Sequence, residues 1–201
     1  MKRIFDMGAA FLGLLILSPL IVAAAIAVKL SSPGSIFFKQ ERMGKDFQPF
    51  WIIKFRTMIE GAAQKGNAIT VGQDPRITRV GRVLRKSKID ELPQLFNILK
   101  GEMTFVGPRP ELPHFVALYH DEYEDILKVK PGLTDLASLK YRDEAALLGK
   151  AGNPEEEYVK RVLPDKICLA KDYIRHSSFF FDLWLIFKTI SRLFDFRTSS
   201  L

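Results

Sequence analysis

Asp90 and Glu91 stand side by side in Ser87-Lys88-Ile89-Asp90-Glu91-Leu92-Pro93-Gln94-Leu95-Phe96-Asn97, and Arg109 follows between Pro108 and Pro110. A carboxylate is a competent nucleophile toward a phosphoryl centre, giving an acyl phosphate that a second substrate discharges. The attacked phosphate must be neutralised by arginine and usually by Mg2+, which prefers one or two carboxylates plus substrate oxygens. Adjacent helical residues point about 100° apart, so the two carboxylates take different roles. One serves as nucleophile while the other positions a proton or the metal. Arg109, stiffened by its prolines, can hold a phosphate at low entropic cost. Arg85, just ahead of the pair, can reach an anion there. The plainer reading is that Asp90 and Glu91 only cap a helix and complement its dipole.

Several elements must position these groups. Leu92, Leu95, Phe96 and Leu99 share one helical face, and Pro93 is tolerated only in a first turn, so a helix is expected from about Asp90. Lys100-Gly101 should end it. Upstream, residues 36–42 and 49–58 read as a short β-hairpin. On its second strand Ile53, Phe55 and Thr57 fall on one face and Lys54 and Arg56 on the other. Those two cations bind phosphate, or they are the solvated side of a half-buried strand. Residues 60–74 read as a loop or irregular lid. Residues 76–86 read as a basic amphipathic helix with Arg76, Arg79, Arg82 and Lys86 in one stripe, suited to a membrane surface. Further on, a helix is expected over 112–127, its acidic residues solvated, then a turn at Lys130-Pro131-Gly132-Leu133-Thr134 and a short strand over 137–141. Polar helical segments follow, to about His176.

The chain has 201 residues and a net charge of +7, which points to an anionic partner and to one domain with enough apolar content for a core. A single cysteine, Cys168, excludes an internal disulfide, and the three histidines have no metal-ligand spacing. Residues 7–28 carry no charge and are long enough to cross a bilayer. A cleaved signal peptide, a simple spanning helix and a broken, re-entrant helix compete for this stretch. Ser18-Pro19 bends a helix near its middle, and Lys2, Arg3, Lys29, Lys39 and Arg42 flank both ends. A helix that enters one leaflet and returns satisfies both facts, with the Ser18 hydroxyl meeting part of the freed backbone. Residues 179–190 are very apolar with a narrow polar stripe (Asp182, Lys188 or Thr189, Arg192, Asp195), as in an interfacial helix; a buried core helix is the alternative.

Taken together, Lys2-Arg3 with the Ser18-Pro19 break, Lys54-Phe55-Arg56-Thr57-Met58, Asp90-Glu91-Leu92-Pro93-Gln94, Gly107-Pro108-Arg109-Pro110 and Lys130-Pro131-Gly132-Leu133-Thr134 resemble the monotopic phosphoglycosyl transferases, bacterial sugar transferases that begin surface-glycan assembly. The resemblance covers nearly the whole chain. It implies an α+β, mostly helical protein: a re-entrant membrane helix over 1–31, then a small catalytic domain over 32–201 on the cytoplasmic face of the bacterial inner membrane, with a β-hairpin and amphipathic surface helices. It implies transfer of a sugar-1-phosphate from a UDP-sugar to undecaprenyl phosphate with release of UMP. Asp90 would be the nucleophile that becomes phosphoglycosylated, Glu91 would complete the dyad, Mg2+ would sit beside Asp90, and Arg85 and Arg109 would bind substrate phosphates. Asp135 departs from the glycine of many relatives, and the stretch after it, 136–144, is expected to shape the sugar pocket. Membrane phospholipid is an expected partner, and a homodimer is left open. The rival from another class is a non-catalytic membrane scaffold that binds anionic lipid or a partner enzyme. Nucleic acid is not an expected partner, because the aromatics cluster in the apolar segments rather than among the cations.

Overall fold

The computed structural model describes residues 2–62, 69–72 and 74–194. A long helix, α1 (Lys2–Ser31), leads into an antiparallel hairpin of β1 (Phe37–Met43) and β2 (Pro49–Phe55). There follow α2 (Arg79–Lys86), α3 (Gln94–Lys100), β3 (Thr104–Val106), α4 (Pro113–Leu118), α5 (His120–Ile126) and β4 (Gly132–Thr134). The chain continues through α6 (Leu136–Lys140), α7 (Glu144–Leu148), α8 (Pro154–Glu157), a π-turn at Tyr158–Val162, α9 (Leu163–His176) and α10 (Phe179–Phe194). The protein is therefore mostly helical, with a short hairpin and an apolar N-terminal helix.

Two small sheets set the geometry. Phe50 and Ile52 of β2 point into a core with Leu95, Ile98 and Met103, and Lys54 shares their parity. On the opposite face Phe55 packs with Ala24 and Val28 of α1 and Leu84 of α2. The second sheet pairs β3 with β4 in parallel, Thr104 opposite Gly132 and Val106 opposite Thr134. Gly107 and Gly132 make this pairing possible. A Cβ on Gly132 would lie 2.7 Å from Gly107 Cα, and one on Gly107 would lie 2.6 Å from Lys130 O. A third cluster, around Phe115, Leu148, Val162 and Leu163, joins α4, α7 and α9; each such buried side chain stabilises the fold by about 1.5–3 kcal/mol.

Both ends of α1 are bonded to the same globular body. Arg3 donates to Ile98 O (2.5 Å) and Leu99 O (2.8 Å), the carbonyls at the negative end of the α3 dipole. Lys2 reaches Val106 O (2.8 Å) and Asp182 (2.6 Å), and Asp6 accepts from the Thr104 hydroxyl (2.6 Å). At the far end Arg56 donates to Ser32 O (2.7 Å) and to Pro33 O. Pro19 lies inside the helix, and Ser18 Oγ donates to Leu15 O (2.8 Å), the carbonyl that proline deprives of its usual N–H partner. The helix is long and apolar enough to cross a membrane. It turns Phe11, Leu12, Leu15, Ile16, Val22 and Ile26 to the outside. In α10 the polar stripe faces inward. Asp182 accepts from Tyr173 Oη (2.7 Å) and Thr189 meets Thr134 (2.7 Å), while Phe180 and Phe187 stand 82% and 72% exposed. Leu185, fully buried, anchors the inner face, so α10 is not a core helix. Asp195 lies outside the described residues.

Several elements differ from the expectation. The helix expected from Asp90 begins at Gln94, with Asp90 and Glu91 in a tight 3-10 turn (Ile89–Glu91) entered through Lys88 at φ 58°. Its buried face is Gln94, Leu95, Asn97 and Ile98, while Phe96 is exposed. Asn97 is drawn inward because its side chain bonds Ile53 N (3.1 Å) and Trp51 O (2.8 Å), joining α3 to β2. Residues 112–127 form two helices rather than one, parted at Tyr119. Gly132–Thr134 is a strand rather than a turn, and of the strand expected over 137–141, residues 137–140 belong to a helix, which Asp135 caps by accepting from Ser138 N (2.7 Å). The α2 helix starts at Arg79, capped by Thr78, and Arg76 lies ahead of it, paired with Asp74 (2.6 Å). Of the expected loop over 60–74, residues 63–68 and 73 lie outside the described residues.

Candidate active site

The hairpin, α2, the 3-10 turn and the two parallel strands converge on one cleft of about 1660 Å³, whose walls include Lys54, Arg56, Arg85, Asp90, Glu91 and Arg109. Each side chain arrives by a different local device. Lys54 comes in on the core-facing parity of β2. Arg85 sits in the last turn of α2, which is pressed so closely to the segment just after β2 that a Cβ on Gly81 would lie 2.7 Å from Thr57 Cα. Arg85 Nε donates to Thr57 Oγ1 (2.8 Å). Arg109 leaves the end of β3, and its backbone N–H donates to Asp135 Oδ2 (3.1 Å) at the end of β4. Thus Asp135, which also accepts from Ser138 N at the start of α6, ties that helix to the arginine loop.

Glu91 is the hub. Its Oε1 accepts from Lys54 Nζ and from Arg109 Nη2, both at 2.7 Å. Burial alone would raise its pKa; Arg109 and then Lys54 outweigh burial and hold it well below the usual carboxylate range. Arg109 is pushed up in return, chiefly by Glu91, whereas burial pulls Lys54 down. Asp90 is shifted in the opposite direction. It is 7% exposed, its pKa is raised first by burial and then by Glu91, and its Oδ1 is buried with no hydrogen-bond partner among the described residues. Lys54, Lys88 and Arg85 oppose that rise, yet among the described residues none comes close enough to Asp90 for an ion pair. Two neighbouring carboxylates with pKa values driven apart suit two different roles. Glu91 is a fixed anion that holds two cations, and Asp90 is a carboxylate with a buried oxygen that has no partner among the described residues.

The structure brings Lys54, Arg85, Asp90, Glu91 and Arg109 together. Arg56 touches the cleft wall, but its guanidinium is committed to the Ser32 and Pro33 carbonyls, and Ser18-Pro19 lies along α1 away from this cluster. Sequence reasoning passed over a second charged group in the cleft. Buried Glu111 pairs with Arg42 (3.2 Å) and accepts from Tyr158 Oη (2.6 Å), with Lys166 Nζ 3.2 Å from the same hydroxyl. Nothing in spacing alone connects Arg42 to Glu111. Asp135, by contrast, is of a residue type that caps helix starts, although the strand expected over 137–141 hid that role.

Among the described residues no three His, Cys, Asp or Glu side chains gather as a metal cage. Mg2+ does not need one. It takes one or two carboxylates and completes its shell with phosphate oxygens and water. Asp90, with a buried oxygen that has no partner among the described residues, fits as its protein ligand.

Comparison with known proteins bears on this geometry. A family model described as bacterial sugar transferase matches residues 1–196. The UDP-N-acetylgalactosamine-undecaprenyl-phosphate N-acetylgalactosaminephosphotransferase of Aeromonas hydrophila is 38% identical, over 94% of this chain and 42% of its own length. The UDP-glucose:undecaprenyl-phosphate glucose-1-phosphate transferase of Escherichia coli K12 is 39% identical, over 96% and 40%. The chain thus spans less than half the length of these two relatives. The exopolysaccharide production protein ExoY of Sinorhizobium fredii, 38% identical, is matched over 94% of this chain and 83% of its own. On the extent of these matches, the chain belongs to the bacterial sugar transferase family.

Proposed function

We propose that the protein transfers a sugar-1-phosphate from a UDP-sugar to undecaprenyl phosphate, releasing UMP, as the first membrane step of surface-glycan assembly. One observation carries the reading. A buried carboxylate with an unpartnered oxygen, Asp90, sits beside a Glu91-centred pair of cations in a cleft large enough for a nucleotide sugar. The names of the relatives, which include UDP-glucose and undecaprenyl phosphate, supply the substrate class.

In this mechanism an Asp90 oxygen attacks the β-phosphorus of the donor. The bond from that phosphorus to the bridging oxygen breaks, its electron pair leaves with UMP, and an aspartyl-phosphosugar remains. A phosphate oxygen of the polyprenyl acceptor then attacks the same phosphorus, forming the diphosphate and freeing the Asp90 carboxylate. Lys54 and Arg109, held in place by Glu91, and Arg85, held by Thr57, offer positive charge where oxygen charge develops. Mg2+, held by Asp90 and substrate oxygens, would neutralise phosphate charge. Ser138, Tyr141, Arg142 and Asp143 also line the cleft and would shape the sugar's share of it.

The anchor reads as re-entrant. Both ends of α1 are bonded to one body, Arg3 at its start and Arg56 just past its end, which supports both ends lying on the cytoplasmic face with the membrane against the outward apolar faces of α1 and α10. A scaffold would have no use for a buried carboxylate kept free of partners. The test is UMP release from a panel of UDP-sugars with undecaprenyl phosphate and Mg2+, comparing wild type with Asp90→Asn. Mg2+-dependent release that the substitution abolishes supports the reading. Equal release by both proteins removes Asp90 as nucleophile.

A further inference from the structure

The cleft wall holds a second run of charged and polar groups that the mechanism above does not use. Lys166 pairs with Glu144 and donates to Tyr158 Oη (3.2 Å). That bond leaves the Tyr158 proton for Glu111 Oε2 (2.6 Å). Glu111 Oε1 accepts from Arg42 Nη1 (3.2 Å) and from Leu112 N (3.0 Å). Arg42 Nη1 also donates to Pro110 O (3.2 Å), while its Nη2 donates to Gln40 Oε1 (2.8 Å). Among the described residues none of these groups bonds Asp90 or Glu91.

What the run does is set by where it ends. Proline has no N–H, so Pro108-Arg109-Pro110 carries a single backbone donor, that of Arg109, and cannot brace itself with ordinary turn bonds. It is held from outside. Gly132 N donates to Pro108 O (2.9 Å) and Asp135 accepts the Arg109 N–H (3.1 Å), which fixes the side facing β4. On the other side Arg42 donates to Pro110 O, and Met43 N donates to Glu111 O (2.9 Å). A buried ion pair kept for stability alone is matched by an apolar pair of the same volume. Here Arg42 and Glu111 instead direct their bonds to residues 110–112, and Tyr158 fixes the Glu111 carboxylate that orients Arg42. We propose that Arg42, Glu111 and Tyr158 are positioning residues for Arg109: they hold the backbone from which its guanidinium reaches Glu91 and the donor phosphate. The inference rests on the transferase reading for what Arg109 binds.

The experiment uses the full chain in detergent micelles and compares wild type with Tyr158→Phe, Arg42→Lys and Tyr119→Phe, each made also in an Arg109→Lys background. Tyr119 is the control, since its hydroxyl donates to Val159 O (2.8 Å) in the same π-turn and touches no member of the run. UMP binding is measured by calorimetry, beside kcat/KM for the best UDP-sugar and the melting temperature. Tyr158→Phe and Arg42→Lys should each weaken UMP binding and lower kcat/KM about tenfold, the size of one hydrogen bond to a charged group. In Arg109→Lys the same changes should cost less than about twofold, because no guanidinium remains to be misplaced. Tyr119→Phe should stay within about twofold in both backgrounds even if it melts as early as Tyr158→Phe. Equal losses in both backgrounds would mean that Tyr158 and Arg42 act independently of Arg109 and would overturn the proposal, as would no loss at all or a Tyr119→Phe that matches Tyr158→Phe in UMP affinity. The expected UMP pattern in a protein that turns over no donor would uphold the positioning role and overturn the transferase reading. A wild type that binds no UMP would also overturn that reading. In that case, or if Arg109→Lys binds none, hydrogen exchange over residues 107–112 decides. Faster exchange there in Tyr158→Phe than in Tyr119→Phe upholds the positioning role, and equal exchange overturns it.

Discussion

Glu91→Gln removes one charge and almost no volume from the centre of the site. Both Lys54 and Arg109 bond one oxygen of the lost carboxylate, each at 2.7 Å, and the Glu91 side chain is only 13% exposed. Removing one partner of a buried ion pair costs about 3–5 kcal/mol, and because Arg109 is about a third exposed, solvent screening brings the expected cost to the low end, about 3 kcal/mol. At roughly 2–4 °C per kcal/mol for a chain of this size, melting should fall by about 6–12 °C. The assay is thermal unfolding in detergent, run as a double-mutant cycle with Lys54→Met. Deleting a cation relieves the charge that Glu91→Gln strands, so the double variant should lose less than the sum of the singles, by roughly 1–3 kcal/mol. A loss below about 0.5 kcal/mol with strict additivity would refute the reasoning, since that is what an ordinary surface position shows.

Acidification should separate the same two proteins. A folded-state pKa depressed below the ordinary 4.5 gives stability that is present above that value and lost as pH falls through the folded one, so wild type should lose its advantage over Glu91→Gln across that acid range in pH-dependent unfolding. Asp90, with its pKa raised, contributes the opposite slope, and Asp90→Asn should therefore be stabilised relative to wild type more at neutral pH than in acid. Gly132→Ala should cost about 1–3 kcal/mol or more in melting experiments, because its Cβ would meet the Gly107 backbone, which a neighbouring rotamer change cannot relieve. Arg56→Lys loses a two-pronged hold on the Ser32 and Pro33 carbonyls, and proteolysis at residues 32–34 should speed up in that variant.

Local chemistry was legible wherever the sequence states it locally. The hairpin, the apolar N-terminal segment and the Gly101 stop of α3 (φ 89°) follow from alternation, length and capping. The acidic and basic residues of the site were recognisable by type. Their division of labour was not, because it depends on Lys54 and Arg109 meeting Glu91 from positions 37 and 18 residues away. Lys54 was placed on the polar face of its strand, yet that parity points inward with Phe50 and Ile52, and the site is what makes burial of a lysine there tolerable. The parallel pairing of β3 and β4 left no local trace either; three-residue strands are too short for periodicity, and Gly132 reads as a turn unless Gly107 is known to lie against it. In α10 the polar stripe was visible, but only the fold shows that Asp182 and Thr189 turn it toward the protein.

The most direct test of Asp90 as nucleophile omits the acceptor. Wild type and Asp90→Asn are incubated with a UDP-sugar and Mg2+, quenched, digested and weighed by mass spectrometry. The proposed mechanism requires a sugar-phosphate adduct on the peptide containing Asp90, absent from Asp90→Asn and discharged when undecaprenyl phosphate is added. Sustained turnover with both substrates, no adduct on that peptide and no loss in Asp90→Asn would contradict it.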